Sequence, residues 1–245
     1  MSVTKSSLDD CQTTEILGYT IRVRIQGEGR PMLLLNGLTR TLESWEPFTG
    51  ALDDRQVISF DVPGVGGSST PRVPPTLTGL ARIAVGVLDV ARVDRADVVG
   101  LSFGGAIAQQ LAFQYATRVR ALILVSTSCG FGSTSSNVDA AMAGPALTGV
   151  DWLGANPIGA FWNSLAIASW SSIPFLASIT APTLVVTGEH DRLVPPSNSR
   201  MLARRIVGAT LVTLPAGHDL QKAKHAGALA HAVTHFLDDE VSDAP

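Results

Sequence analysis

No basic cluster occurs anywhere in this chain, and with 18 lysines and arginines against 21 acidic residues its net charge of -3 leaves no electrostatic footprint for nucleic acid or another polyanion. Cysteine is scarce. Cys11 and Cys129 lie far apart, match no paired metal-ligand spacing, and read as two reduced thiols of a cytoplasmic protein. No Pro/Ser-rich linker, charge block or internal repeat divides the chain, so residues 1–245 are expected to form a single domain. The opening residues, Met1 to Leu17, mix Lys5, Asp9, Asp10 and Glu15 with serines and threonines. They hold no apolar core for a signal peptide, and the start is expected to fray or to form an edge strand. Trp152 to Gly188 carries no formal charge, yet Asn156, Pro157, Asn163, Ser171, Ser172 and Pro174 break it, which excludes a membrane span. What is present is apolar material: 45% of residues are hydrophobic and 16% charged, enough for a sizeable core.

Periodicity organises that material into alternating elements. Tyr19 to Ile25 alternates polar and apolar residues, as an antiparallel edge strand does, whereas Met32 to Leu35 and Val57 to Phe60 are nearly continuous apolar runs suited to strands buried on both faces. Helical patterns over 44–52, 77–91, 105–115, 197–206 and 224–237 then alternate with strands near Asp97 and over 119–125, 183–187 and 210–214. This rhythm predicts an α/β fold with a mostly parallel, doubly wound sheet and right-handed crossovers. Ligands of such sheets sit beyond the carboxyl ends of the strands. Five loops meet that condition: Asn36-Gly37-Leu38, Asp61 to Gly67, Gly100 to Gly104, Gly188 to Asp191, and Pro215 to His218.

The third of these loops carries the strongest signal. Gly100-Leu101-Ser102-Phe103-Gly104 lies where a strand gives way to a small-residue helix, the setting of a nucleophile elbow, in which the serine is strained and its hydroxyl points out over the sheet. The competing reading is a glycine-rich connection with an incidental serine. A serine hydroxyl is a poor nucleophile at neutral pH, so it needs a base, and the base needs a partner that fixes its tautomer. His218 and Asp191 are the candidates, because Ser102, Asp191 and His218 each follow a different strand in the chain order used by hydrolases of this architecture. Glu189 competes with Asp191 but is expected to face solvent. The alternative acid position, after the preceding strand, is occupied by Ser126-Thr127-Ser128 and offers no carboxylate. His225, His231 and His235 read as the surface of the last helix. No third ligand or zincin motif accompanies them, so neither metal nor cofactor is expected. The backbone N–H groups of Leu38 and Phe103 are placed to stabilise an oxyanion, with Asn36 and Gly37 shaping the substrate side. Gly64-Val65-Gly66-Gly67 lacks the third glycine of a dinucleotide site and the lysine of a P-loop, and reads as a tight loop. An insertion over about 129–173 falls where a short helical lid belongs. Its tryptophans Trp152 and Trp162, and with them Trp170, are expected to wall an apolar acyl pocket, the alternative being ordinary core packing.

From Tyr19 to Leu237 the chain resembles the α/β-hydrolase superfamily, which implies an eight-stranded, mostly parallel sheet with a short helical lid, and locally it is similar to the intracellular medium-chain polyhydroxyalkanoate depolymerases. That narrower likeness rests on Asn36-Gly37 where most relatives have His-Gly, on Phe60 to Arg72, on Gly104-Gly105-Ala106 followed by Gln109-Gln110, and on the pattern from Met201-Leu202 through Arg205-Ile206 to Gly217-His218. The resemblance assigns Ser102 as nucleophile, Asp191 as acid and His218 as base. It departs at Arg192, where the family tends to have proline, and in an insertion much shorter than the family's. The resemblance implies a cofactor-independent serine esterase. It would act on a small lipophilic ester or thioester, including 3-hydroxyacyl types or a polyester surface, through an acyl-enzyme intermediate. Two alternatives are a biosynthetic tailoring enzyme using the triad for acyl transfer, cyclisation or elimination, and a non-catalytic binding module.

Overall fold

Residues 11–133 and 156–241 are described by a computed structural model. The first two strands, β1 (Cys11–Ile16) and β2 (Tyr19–Gln26), form an antiparallel hairpin. Its two-residue turn, Leu17-Gly18, holds both residues at positive φ (54° and 80°), the twist that suits a tight hairpin. The opening segment is thus an edge strand from Cys11 onward. β2 runs antiparallel to β4 (Arg55–Phe60). From there the sheet is parallel: β3 (Arg30–Leu35), β4, β5 (Ala96–Leu101), β6 (Val119–Val125), β7 (Thr183–Gly188) and β8 (Thr210–Leu214). The spatial order is β1-β2-β4-β3-β5-β6-β7-β8, the mostly parallel eight-stranded arrangement expected.

Strand alternation sends one set of side chains to each face. Leu33, Leu35, Ile58, Val98, Leu122 and Leu124 enter the core shared with α2 (Leu77–Val90), α3 (Phe103–Gln114) and α5 (Pro196–Arg205). Met32, Leu34, Val57, Val99, Ile123 and Val125 enter the core beneath α1 (Glu46–Thr49) and α6 (Ala223–Asp239). Both faces are therefore covered, as parallel strands require. α2 buries Leu77, Leu80, Ala81, Ala84, Val87 and Leu88, a stripe at helical spacing, and starts where the Thr76 hydroxyl accepts the Gly79 N–H at 3.0 Å. α3 is buried continuously from Phe103 to Ala112, which its small residues permit.

One element differs from expectation. The helix expected over 44–52 is a 3-10 turn, Leu42–Trp45, followed by a four-residue α1. Pro47, without an N–H, occupies the first turn of α1 and cannot continue the earlier ladder. The helix α4 (Pro157–Ala168) supplies the short helical insertion expected after β6, and its cap is legible: the Asn156 side chain accepts the Gly159 N–H at 2.7 Å, followed by proline at the first helical position. α4 crosses the loop after β4 backbone to backbone. A Cβ on Gly159 would stand 2.2 Å from the Gly64 carbonyl oxygen and one on Gly64 2.5 Å from the Gly159 Cα. Beside this crossing, the buried Asn163 amide donates to the Pro63 carbonyl at 3.1 Å. The remainder of the expected insertion, 134–155, lies outside the described residues. Among the described residues no helix is long and apolar enough to cross a membrane.

Candidate active site

Ser102 connects β5 to α3 with φ 52° and ψ -115°, a conformation that costs a non-glycine residue on the order of 1–3 kcal/mol. The surroundings hold it there. Its N–H donates to Val125 O at 2.9 Å, and its carbonyl accepts the Gly105 N–H at 2.9 Å and the Thr127 hydroxyl at 2.6 Å. The flanking glycines are required by close approach: a Cβ on Gly104 would lie 2.0 Å from Leu35 O, and one on Gly100 would lie 2.5 Å from Gly104 O. The same approach sets Ser102 against the loop after β3. A Cβ on Gly37 would come within 3.7 Å of the Ser102 Cβ, and Phe103 opens α3, where the first N–H groups have no partner within the helix.

Asp191 follows β7 and His218 follows β8. The Asp191 carboxylate is fully buried, its Oδ1 accepting the N–H groups of Leu193 (2.9 Å) and Val194 (2.8 Å) while Oδ2 meets His218 Nδ1 at 2.9 Å. Gly188 makes this juxtaposition possible, since a Cβ there would lie 2.1 Å from Gly217 O. Two backbone bonds, Glu189 N–H to Leu214 O (2.8 Å) and His190 N–H to Ala216 O (2.9 Å), tie the loops together. The acid is thus joined to the histidine directly. The serine stands at the same edge of the sheet, and among the described residues its hydroxyl makes no hydrogen bond to the imidazole, whose Nδ1 side is taken by Asp191.

The loop after β3 is braced from below. Asn36 is buried, with its amide donating to Thr41 O and its oxygen accepting from Gly37 N–H (3.2 Å) and the Ser44 hydroxyl (2.9 Å). Its polar atoms are used to shape the turn. Asp61, completely buried, accepts the Leu42 N–H at 2.8 Å through Oδ1 and, through Oδ2, the Gly67 N–H at 3.0 Å and Arg22 at 3.2 Å. The Gly64 to Gly67 stretch is accordingly a loop wrapped round a carboxylate, with Gly66 at φ 53° and no room for a Cβ, which would meet Asp61 Oδ2 at 2.0 Å. Burial pushes the Asp61 carboxyl up, against the pull of those donors.

Glu43 pairs with Arg22 at 2.5 Å. Burial alone would raise Glu43, but hydrogen bonds from Arg22, from the Thr41 hydroxyl and from its own backbone outweigh it and hold the carboxyl at about 2 against an ordinary 4.5. A depressed carboxyl adds stability that is complete above its unfolded value and is lost as pH falls through its folded value. The melting-temperature deficit of Glu43→Gln should therefore be full at neutral pH and shrink between 4.5 and about 2. A deficit constant over that range, in thermal melts of both proteins, would contradict this assignment.

Of the other side chains singled out in the sequence, some keep their expected setting and others do not. Trp170 donates its indole N–H to Gln110 at 2.6 Å and packs edge-on to Phe175 with ring centroids 6.2 Å apart, so it fastens the returning segment to α3, and core packing describes it better than a pocket wall. Gln109 acts beside it, fully buried, donating to Gly105 O and Ser128 O at 3.0 Å and accepting the Ser172 hydroxyl at 2.6 Å. Trp162 is half-buried against Phe161. Trp152 lies outside the described residues. Glu189, His231 and His235 are exposed, but His225 is half-buried and lines a shallow recess with His218, because the first turn of α6 folds against the histidine loop. Cys11 and Cys129 are free thiols, and burial pushes Cys129 up, which leaves it a packing residue.

Comparison with known proteins agrees with this fold. A family model described as the alpha/beta hydrolase fold matches residues 30–164. The chain belongs to the α/β-hydrolase family. A second model, described as TAP-like protein, matches residues 159–244. Among curated proteins this α/β-hydrolase is similar to a poly(3-hydroxyalkanoate) depolymerase of Ectopseudomonas oleovorans, at 34% identity over 94% of this chain and 93% of the relative. The aligned length, 274 positions, exceeds the 245 residues of the chain, so the depolymerase carries insertions that this protein lacks. Among solved structures it is similar to an enol-lactonase from Burkholderia xenovorans (TM-score 0.84, 27% identity, covering 93% of this chain and 100% of that one). It is likewise similar to a hydrolase from Pseudomonas aeruginosa (TM-score 0.83, 28% identity, 94% and 99%).

Proposed function

We propose that this hydrolase cleaves carboxylic esters, thioesters or lactones with a lipophilic acyl part, 3-hydroxyacyl types included, through an acyl-enzyme on Ser102. The observation that carries the reading is the buried Asp191–His218 pair at the sheet edge where Ser102 is held in a strained turn. In the acylation step the Ser102 Oγ attacks the carbonyl carbon as its proton passes to His218 Nε2. The carbonyl oxygen takes the negative charge opposite the N–H groups of Leu38 and Phe103. Collapse breaks the bond to the leaving oxygen or sulfur, which takes the proton from His218. Water then repeats the sequence, giving up a proton to His218, and the acid departs as Ser102 recovers its own. Asp191 keeps the Nδ1 proton in place throughout.

A lipophilic substrate is supported by the chemistry of α4, which has no charged residue and presents Ile158, Phe161 and Leu165 to the exterior on one face. The depolymerase relative supports an acyl part of the same kind, and the lactonase supports a ring-opening variant of the same step. The test is labelling with a fluorophosphonate followed by peptide mass spectrometry, joined to a turnover panel of esters, thioesters and lactones of graded acyl length. Label on the peptide bearing Ser102 and turnover that rises with acyl length are expected. Protein that neither labels nor turns over any member of the panel would remove the proposal.

A further inference from the structure

The loop after β3 and the loop that carries His218 are joined by one ion pair across 179 residues of chain. Arg40 Nη2 meets Asp219 Oδ1 at 2.5 Å, with side-chain exposures of 7% and 24%. Arg40 closes the turn that starts at Gly37, its N–H bonding to Gly37 O at 3.2 Å, and its stem lies over that turn: a Cβ on Gly37 would find Arg40 Cδ at 3.5 Å and Ser102 Cβ at 3.7 Å. Asp219 is the residue after the histidine. Its second oxygen, Oδ2, is held by Lys222 at 3.0 Å, a half-exposed pair of the kind that contributes little. Arg40 is the buried partner.

We propose that Arg40 is a positioning residue whose pair with Asp219 sets the separation between the Asn36–Leu38 loop and His218; this rests on Ser102 as nucleophile and His218 as its base. Each loop is tied independently to its own surroundings, the first through Asn36 and Asp61 and the second through β7. Across the cleft between them, the Arg40–Asp219 contact is a direct side-chain link. Cutting it leaves both loops folded but lets their spacing drift. A misplacement near 1 Å in such a site costs on the order of a hundredfold.

Fluorophosphonate titration counts competent serines, so kcat per titrated site separates positioning from loss of folded protein. Arg40→Met and Asp219→Ala should each lose roughly 10- to 100-fold in kcat per site with KM within about threefold. The double variant should lose no more than the poorer single, because one contact is removed either way. Arg40→Lys should recover most of the loss, since it returns a cation on a stem long enough to approach Asp219. Asp219→Ala, at a partly exposed side chain, keeps the test available if Arg40→Met does not fold. Single variants within about twofold of wild type per site, or losses that multiply in the double, would overturn the proposal. A wild-type protein whose turnover does not depend on Ser102 would instead overturn the reading of the site, and this proposal with it.

Discussion

Asp191→Asn is expected to lower kcat by about four orders of magnitude with little change in melting temperature. The asparagine oxygen can still accept from Leu193 and Val194, the bonds that Oδ1 makes now, so the loop keeps its shape. His218 Nδ1 then faces an NH2 group in place of Oδ2, and a donor there selects the tautomer with its proton on Nε2. That nitrogen can no longer take the serine proton. No negative charge is left to stabilise the imidazolium either. Steady-state ester kinetics with thermal melts check the prediction, with Glu189→Gln, at an exposed position, as the neighbouring control. Activity within tenfold of wild type would show that another group orients the base.

Gly104→Ala is expected to cost at least about 3 kcal/mol of stability, because overpacking against backbone cannot be relieved by a rotamer change. For a chain of this size that is roughly 6–12 °C in melting temperature. The new methyl would meet Leu35 O at 2.0 Å and Asn36 O at 2.6 Å. It pushes the end of β3 and the Asn36–Leu38 loop away from the serine together, so turnover should fall beyond what reduced stability explains. Gly37 offers a comparison in the same loop, since its nearest neighbours would stand 3.5 Å away, ordinary contact. A Gly104→Ala protein that melts like the wild type would show that β3 and α3 are not tightly joined.

The parallel strands are legible because each centres on a short apolar run. The runs 119–125 and 210–214 coincide with β6 and β8. The candidate site is legible for a related reason: parallel topology forces each strand's next residues to one edge, so Ser102, Asp191 and His218 need only their order to be placed there. Side-chain partners across long sequence distances are not. Nothing near Arg40 announces Asp219, and nothing near Trp170 announces Gln110, because such pairs are set by how the loops pack once the sheet exists. Trp170 shows the same limit: an aromatic in an uncharged stretch is open to both pocket lining and core packing, and the bond from its indole N–H to α3 has no signal in the sequence. His225 shares the helical spacing of its exposed neighbours but not their setting, since only the first turn of α6 meets another loop.

The contact between Gly64 and Gly159 leaves no compensating exchange open to mutation. Where a large side chain abuts a small one, a gain at one position can be balanced by a loss at the other; here both partners already have none. That crossing is an immovable hinge pin in the protein's history. Variation in length and composition has to accumulate on either side of it, so diversification of substrate scope by drift would be channelled into the chain upstream of α4.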